Sequence, residues 1–360
     1  MKVIIATPYF TPKIGGLELY AERMAHGLAE AGWEVHIITS GDEVARTQHG
    51  NITVHTLKTW LQVANTPVNL MWTVQARRII KALKPDLINV HAPVPSMALA
   101  VAAAAGKTPL VVTYHAGSMR KGSLLPDSII FAYERFMLPI MLHRADHIIC
   151  ASGYVRKEFL TTWNNKSTTI TPGVDSDIFT PAPNLRIPSR IIFIGDFRDP
   201  RKGLSYLIDA VQQVPGANLR VIGPGSGIPS GSVSYTGILS ASEIAQELRA
   251  AQMLVLPSTT DAESFGMVLL EAMATGIPVV GTRIGGIPYV IADNVDGILV
   301  KPSDVQDLAT AISQLLSNPT LAAALGNNGR AKAVQNFGWN ERVKQTDQIF
   351  TSVVKKASHV

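Results

Sequence analysis

The chain has 360 residues, 46% of them hydrophobic, and this length exceeds one ordinary core, so two domains are expected. Its single cysteine, Cys150, excludes an internal disulfide and fits a reducing compartment. The net charge of +5 arises mainly in residues 1–180, which contain 17 Lys and Arg against 13 Asp and Glu, whereas the remainder contains 15 against 14.

The start of the chain predicts a cytoplasmic protein. Met1 and Lys2 lead directly into a strand-like run, with no signal peptide before it. No apolar run reaches the ~20 residues that a transmembrane helix needs. The basic surplus of the N-terminal half is compatible with a peripheral position on an anionic membrane, and no basic-aromatic motif indicates nucleic acid.

Short apolar runs alternate with longer helical patterns through the first half of the chain, which is typical of a parallel α/β sheet. The predicted strands of this half are 3–6, 35–39, 87–90, 110–114 and 148–151. One predicted helix, from about 68 to 83, has an apolar stripe formed by Trp72, Ala76, Ile79 and Leu83. The same helix carries four basic residues, Arg77, Arg78, Lys81 and Lys84, which form either a solvated outer face or a membrane-docking surface.

Three prolines within residues 180–188 resist both a helix and the interior of a sheet, so 181–188 is the predicted linker between domains 1–180 and 189–339. The α/β pattern then restarts. The predicted strands of the second sheet are 191–194, 219–222, 253–256, 278–281 and 298–300. Ligands in such sheets bind at the carboxyl ends of the strands.

The most informative segment runs from Glu263 to Glu271. Glu263 precedes a predicted helix start, Gly266 allows close approach of a ligand, and the first helical N–H groups can bind phosphate. Because helical side chains lean toward the N-terminus, Glu271 can reach hydroxyls beside that phosphate, and Glu263 can reach a second polyol. A ligand with hydroxyl groups on both sides of a diphosphate would fit this arrangement, and a sugar nucleotide has that layout.

With Leu-Pro-Ser before it and Glu-Ala-Met-Ala-Thr-Gly-Ile-Pro-Val-Val at its end, this segment resembles the nucleotide-sugar site of the retaining GT-B glycosyltransferases of family four. The resemblance implies two Rossmann-like domains with parallel sheets facing a central cleft. The N-terminal domain would bind the acceptor, and a C-terminal helix at about 340–360 would pack back onto it. The donor-binding residues implied here are Glu263, Ser264, Phe265, Gly266, Met267 and Glu271.

The resemblance also assigns roles in the first domain. Gly15 and Gly16 follow the first strand and open a helix, in the loop that faces the donor in this family, so Gly16 is a predicted donor contact. His115 ends a predicted strand and matches the family's Thr-x-His motif, in which the histidine approaches the transferred sugar. His115, Lys202 and Glu263 are the predicted catalytic residues.

After the first strand of the second domain, the family has an Arg directly following a Gly, and a Lys before the last Gly, and both hold the diphosphate. Lys202 matches this Lys, whereas Asp196 occupies the Arg position. Arg198, a predicted donor contact, or Arg201 would have to supply the missing charge, and the sequence leaves this open. Gly223 belongs to a loop that borders the nucleotide in the family.

The reaction implied is transfer of a hexose from a nucleotide-diphosphate sugar to a lipid or cell-envelope saccharide, forming an α-glycosidic bond. Asp-Pro-Arg-Lys-Gly and Glu-Ser-Phe-Gly also occur in lipid-acceptor mannosyltransferases, which favours GDP-mannose over UDP-glucose or UDP-N-acetylglucosamine. GT-B enzymes generally need no catalytic metal or cofactor, and no Cys/His cluster offers a metal site.

Two other functions remain open from the sequence. A GT-B nucleotide-sugar epimerase would convert the donor without an acceptor. A non-catalytic two-domain sugar-binding protein would pair similar α/β domains, but such proteins are normally exported. A nicotinamide dehydrogenase is disfavoured because the loop at Gly223 lacks the full dinucleotide fingerprint.

Overall fold

The structure is a computed structural model that describes residues 1–11, 13, 15–63, 66–119, 124–225, 227 and 229–358. The chain divides into two compact units. Unit 1 comprises Met1–Thr171 with Asn340–Val360, and unit 2 comprises Pro172–Trp339.

Unit 1 is built on an eight-stranded sheet in the order β10-β9-β8-β7-β1-β2-β4-β3. Its strands are β1 Lys2–Ala6, β2 Glu34–Gly41, β3 Ala45–His49, β4 Ile52–Lys58, β7 Leu87–Ala92, β8 Leu110–Tyr114, β9 His147–Cys150 and β10 Ser167–Thr169. A separate hairpin pairs β5 Leu61–Val63 with β6 Thr66–Val68. The main sheet is parallel except for the edge strand β3, which runs antiparallel to β4.

Helices cover both faces of this sheet. Up to residue 159 they are α1 Gly16–Glu30, α2 Trp72–Leu83, α3 Met97–Ala104, α4 Leu124–Ala132, α5 Leu138–Arg144 and α6 Gly153–Phe159, with a π-helical turn Tyr133–Met137 between α4 and α5. One apolar layer contains residues of α2, α3 and α5, and the other contains residues of α1. The apolar stripe of α2 differs slightly from the predicted one, because Ile80 is buried whereas Ile79 is only partly so.

Unit 2 has a six-stranded parallel sheet in the order β13-β12-β11-β14-β15-β16. Its strands are β11 Arg190–Ile194, β12 Asn218–Ile222, β13 Val233–Tyr235, β14 Met253–Leu256, β15 Val279–Thr282 and β16 Ile298–Val300. Its helices are α7 Leu204–Gln212, α8 Ala241–Arg249, α9 Met267–Ala274, α10 Ile287–Val290, α11 Val305–Ser317 and α12 Pro319–Asn336. The α/β fold class predicted from the sequence is confirmed.

The C-terminal helix α13, Trp339–Ala357, packs in unit 1 through contacts with α1 and the residues after it. Trp33 Nε1 donates to Asp347 Oδ1 at 2.7 Å, and the Trp33 ring lies 5.9 Å from that of Phe350. Gly27 is required at the α1 contact because a Cβ there would overlap the Val343 side chain. The last two residues of the predicted helix 340–360 lie outside the described residues.

The chain passes from unit 1 to unit 2 at residues 171–172, earlier than the predicted linker 181–188. The reason is that residues 172–188 bond to unit 2. Val174 N donates to Phe337 O at 2.7 Å, and Arg249 Nη2 donates to Ile178 O at 2.7 Å. Within the predicted linker, Ile187 N donates to Ala250 O at 2.9 Å.

Candidate active site

An ion pair joins two of the predicted site residues of unit 2. Lys202 Nζ lies 2.6 Å from Glu263 Oε2, and Ser258 Oγ donates to the same oxygen at 3.5 Å. Lys202 follows β11 and Glu263 follows β14, and these strands are neighbours in the sheet, so their carboxyl ends bring the two side chains together. The nearby carboxylate of Glu263 raises the pKa of Lys202. Lys202 is therefore a fixed cation in unit 2.

The loop carrying Glu263 is held by backbone contacts that the sequence did not reveal. Gly286 N donates to Glu263 O at 2.7 Å, and Thr282 Oγ1 donates to Ser258 O at 2.6 Å. A Cβ on Gly286 would overlap the carbonyl oxygen of Ser264, so this position needs glycine. The Gly-Gly pair soon after β15 was the only sequence signal for this support.

The N-terminus of α9 is open. Its N-cap is Gly266, whose φ of +86° lies in the left-handed region that favours glycine, and no described side chain caps the helix. The first N–H groups of a helix have no intrahelical partner and carry partial positive charge. Gly266 therefore lies directly before the start of α9, and its close approach to an anion or donor stays a prediction.

Side chains next to Gly266 differ in what they can offer a ligand. Phe265 is buried in the core of unit 2, with its ring 6.0 Å from that of Phe337, so only its backbone could contact a donor. Ser264 and Met267 are partly exposed. Of the predicted donor contacts in this segment, Phe265 is buried in the core, and Met267 is partly buried and packs against the same core.

Glu271 lies in the second turn of α9 and, within the described part of the chain, its carboxyl group forms no hydrogen bond or ion pair. Burial raises the pKa of Glu271 from 4.5 to about 8. Glu263, by contrast, has the ammonium group of Lys202 beside it. Glu271 is therefore a half-buried acidic group that has no internal partner among the described residues and a raised pKa, a combination that is common at binding sites.

Replacing Glu271 with glutamine should make the protein less sensitive to rising pH. Between the unfolded pKa near 4.5 and the folded pKa of about 8, the native state holds a proton that the unfolded state releases, so wild-type stability falls as pH rises. A pKa that differs by one between the two states corresponds to about 1.4 kcal/mol. From pH 5 to 8, the Tm of the glutamine variant should therefore rise relative to that of the wild type. A difference in Tm that does not change with pH would contradict the raised pKa of Glu271. Glu158→Gln, on the exposed side of α6, is the control.

The two arginines that could replace the missing family arginine are both paired within their own loop. Arg198 is exposed, and its guanidinium binds the Asp196 carboxylate through two bonds of 2.9 and 2.8 Å. Arg201 Nη2 lies 2.6 Å from Asp199 Oδ2. Asp196 therefore neutralises Arg198, the arginine predicted to contact the donor.

Gly223 has a packing role that the sequence could not show. Its φ is +148°, and a Cβ there would overlap the carbonyl oxygen of Gly195 at the end of the neighbouring strand β11. The two strand ends thus meet backbone to backbone. This packing alone accounts for the glycine, and the predicted lining role stays a prediction.

In unit 1, Gly16 begins α1 and is exposed, and Gly15 is the N-cap residue. No described side chain caps this helix either. The Glu18 side chain folds over Gly15, where a Cβ would overlap it, and burial raises the pKa of Glu18. The predicted contact of Gly16 with the donor stays a prediction.

His115 follows β8 and belongs to a polar chain that the sequence only partly revealed. Its Nε2 lies 3.2 Å from Nδ1 of His91, and Nε2 of His91 lies 3.1 Å from Oδ1 of Asn89. Tyr20 packs edge-on against both imidazoles, with ring centroids 5.8 Å from His91 and 4.8 Å from His115. Burial lowers the pKa of His115 to about 3, so the ring is neutral near pH 7. A neutral imidazole suits a hydrogen-bonding role at a sugar.

Arg77, Arg78 and Lys81 on α2 and Lys84, the residue that caps its C-terminus, are exposed, and none pairs with a carboxylate in the described part of the chain. The helix starts at Trp72, later than the predicted 68, because β6 occupies residues up to 68 and the Asn69 side chain accepts from Met71 N at 2.8 Å. The predicted cationic face is present.

The described residues contain neither a candidate metal cluster nor a membrane-spanning helix. Among them, no group of three or more His, Cys, Asp or Glu side chains could hold a metal ion. None of the helices within those residues combines the length and apolar character needed to cross a membrane.

Two protein-family models match the chain. The model for glycosyltransferase family 4 matches residues 14–178, and the model for glycosyl transferases group 1 matches residues 188–318. Together they cover most of unit 1 and of unit 2.

Two relatives and one solved structure are similar to this chain over nearly its whole length. An uncharacterized glycosyltransferase of Methanocaldococcus jannaschii is 27% identical over 97% of this chain and 98% of its own length. The phosphatidyl-myo-inositol mannosyltransferase of Mycolicibacterium smegmatis is 26% identical over 98% of this chain and 94% of its own. The solved structure of HepE from Anabaena in complex with UDP-glucose shares the fold, with a TM-score of 0.77 and 20% identity over 98% of this chain and 100% of that one.

Sequence, fold and comparisons agree with the resemblance seen in the segment from Glu263 to Glu271. The chain belongs to the GT-B glycosyltransferases, within the family 4 and group 1 glycosyl transferases that the two models describe.

Proposed function

We propose that this glycosyltransferase moves a hexose from a nucleotide-diphosphate sugar to a hydroxyl acceptor with retention of the anomeric configuration. The observation that carries the proposal is the arrangement around α9. A fixed cation, Lys202, pairs with Glu263 in the loop before an uncapped helix N-terminus, and Glu271 lies unpartnered inside that helix.

Each group has a role that its chemistry suits. Lys202 and the first N–H groups of α9 hold the diphosphate, whose negative charge grows as the sugar leaves. The Glu271 carboxylate accepts hydrogen bonds from the ribose hydroxyls. Glu263, held by Lys202 and by Gly286, accepts from hydroxyls of the sugar. No cofactor or metal is part of this scheme.

Retention is proposed to occur by front-face attack. The acceptor oxygen forms a bond to the anomeric carbon as the bond from that carbon to the phosphate oxygen breaks, and the acceptor proton passes to the departing phosphate. His115 is proposed to act as a hydrogen-bonding ring, which burial keeps neutral by holding its pKa far below neutrality.

GDP-mannose is the proposed donor. The phosphatidyl-myo-inositol mannosyltransferase relative aligns over nearly the whole chain. UDP-glucose, bound in the HepE structure, is the alternative. The proposed acceptor is a membrane lipid or a lipid-linked cell-envelope saccharide.

The purified protein, given labelled GDP-mannose and bacterial lipid extract, should transfer mannose into the organic phase in a product that α-mannosidase cleaves. A β-linked product would contradict retention. Conversion of the donor sugar without any acceptor would indicate an epimerase, and binding of the donor without turnover would indicate a sugar-binding protein. UDP-glucose serves as the donor control.

A lipid acceptor implies contact with a membrane, and unit 1 offers a suitable surface. We define the α2 surface as the exposed apolar residues Trp60, Leu61, Leu70, Met71 and Val74 with the basic residues Arg77, Arg78, Lys81 and Lys84. Leu70 is 83% exposed and Leu61 is 61% exposed, and exposed apolar side chains that cluster can mark a membrane-interaction site. Exposed apolar side chains next to basic side chains, none of which pairs with a carboxylate among the described residues, suit binding to an anionic bilayer. We propose that this surface holds the protein on the cytoplasmic face of a membrane.

Reversing three charges of the α2 surface should release the protein from anionic vesicles. Each basic residue near such a membrane contributes about 1 kcal/mol, so the loss of three attractions in Arg77→Glu, Arg78→Glu and Lys81→Glu should alone weaken binding on the order of 100-fold, and the new carboxylates should weaken it further. Co-sedimentation with phosphatidylglycerol vesicles measures this. The control reverses Lys344, Lys355 and Lys356, which are exposed on α13 and change the net charge equally. Equal losses in both variants would refute a specific surface.

A further inference from the structure

Four polar side chains lie close together on two neighbouring strands of unit 1. Asn89 and His91 lie two residues apart on β7, Thr113 lies on β8, and His115 directly follows β8. The register places Asn89 beside Val111 and His91 beside Thr113, so the side chains meet across the two strands. Asn89, His91 and Thr113 are all buried. Such a network is costly unless each member is satisfied, so its hydrogen-bond directions are strongly constrained.

The direction of the first bond is fixed by Asn89. Asn89 Nδ2 donates to Val111 O at 3.1 Å and to Thr113 Oγ1 at 2.9 Å. A backbone carbonyl only accepts, so the amide cannot be turned around without placing two oxygens together. Asn89 Oδ1 therefore faces His91 Nε2, 3.1 Å away, and that nitrogen must carry a hydrogen.

The second bond follows from the first. His91 is fully buried, and burial holds its pKa well below the usual value, so the ring is neutral. A neutral ring with its hydrogen on Nε2 has a lone pair on Nδ1. Nε2 of His115 lies 3.2 Å from that lone pair and must donate to it. The His115 ring then has its own lone pair on Nδ1, which has no hydrogen-bond partner in the described part of the chain.

We infer that Asn89 and His91 are positioning residues that fix His115 in the tautomer with hydrogen on Nε2 and thereby present its Nδ1 as a hydrogen-bond acceptor for a substrate hydroxyl. The substrate part of this inference rests on the proposed function, whereas the tautomer does not. His115 keeps part of its surface exposed, while His91 behind it is buried. Edge-on packing of Tyr20 at 4.8 Å restricts rotation of the His115 ring.

Imidazole nitrogen NMR of the full-length protein, labelled with nitrogen-15 at histidine, reads the tautomer directly near neutral pH. The expected result is a neutral Nε2–H ring for both His91 and His115. A His115 ring with hydrogen on Nδ1, or a protonated one, would overturn the inference. A second coupled pair provides an internal control, because His36 Nδ1 lies 3.2 Å from His55 Nε2 on other strands.

Two variants of His91 test whether His91 sets the tautomer of His115, and both leave Asn89 unchanged. In His91→Gln the amide nitrogen can donate to Asn89 and the amide oxygen can accept from His115, so the tautomer of His115 should persist. In His91→Leu the acceptor is lost, and His115 should become a mixture of tautomers. Signals of His36 and His55 should not change in either variant. An unchanged His115 tautomer in His91→Leu would show that His91 does not set it.

Kinetics with GDP-mannose then test the substrate part. His91→Leu should lower kcat/KM about tenfold, the effect of one lost hydrogen bond, and His91→Gln should recover to within about threefold of the wild type. If the tautomer changes as expected but kcat/KM is the same in both variants, His115 Nδ1 does not bind substrate. If the wild type transfers no sugar but the NMR result is as expected, the proposed function is wrong, whereas the inference that Asn89 and His91 fix the tautomer of His115 remains valid.

Discussion

Replacing Glu271 with alanine is expected to weaken binding of the nucleotide sugar on the order of 100-fold. Two ribose hydroxyls donating to one carboxylate contribute about 1.5–3 kcal/mol each. Ionising a group whose pKa is about 8 costs about 1.4 kcal/mol of this at neutral pH. The effect is large because, among the described residues, no internal bond to this carboxyl group competes with the ligand.

Isothermal titration of GDP-mannose into the wild type and the variant measures this effect. Glu158→Ala is a matched control, since Glu158 is also a helical glutamate and is exposed on α6. It should leave the dissociation constant unchanged. A Glu271→Ala variant that binds within about threefold of the wild type would remove this residue from the donor site.

The second large effect is expected at Lys202. Lys202→Ala should lower kcat by about 10²–10³-fold, the usual cost of removing one fixed group that stabilises charge in the transition state. It also leaves the Glu263 carboxylate, mostly buried, without its cation. Single-turnover sugar transfer measures the effect on chemistry, and thermal unfolding of the same variant shows whether the fold is intact.

Arg198→Ala is the matched comparison for Lys202→Ala, and it addresses the family arginine that is replaced by Asp196. Arg198 is exposed and already neutralised by that aspartate, so its loss should change kcat by less than about threefold. A loss as large as that of Lys202→Ala would mean that the Arg198–Asp196 pair opens and that Arg198 supplies the second cation.

Local patterns predicted much of the fold. Buried parallel strands such as β1 and β14 are continuous apolar runs, so they could be predicted directly from the sequence. Strand β3 was not, because all of its side chains are exposed at the sheet edge and show no apolar pattern. The boundary at residues 171–172 was missed because prolines mark an irregular segment and not the unit to which that segment bonds.

In the candidate site, too, features local in the sequence could be predicted, whereas contacts between distant segments could not. Glu263, Gly266 and Glu271 lie within one segment, so their spacing predicted their placement relative to a helix start. The pairing of Lys202 with Glu263 depends on the adjacency of β11 and β14, which are not consecutive in the chain. The contact between His91 and His115 likewise depends on the β7–β8 register, and neither pairing could be read from spacing.

Thermal stabilisation by a panel of nucleotides and their sugars is the most direct test of the central claim, that unit 2 binds a nucleotide sugar. At 100 times Kd a ligand adds about 2.7 kcal/mol of stability, which is visible as a rise in Tm. GDP and GDP-mannose should stabilise the wild type and should have little effect on Glu271→Ala, while UDP, ADP and NAD should have less effect on the wild type. A shift with NAD alone, or with free mannose and no nucleotide, would contradict the account.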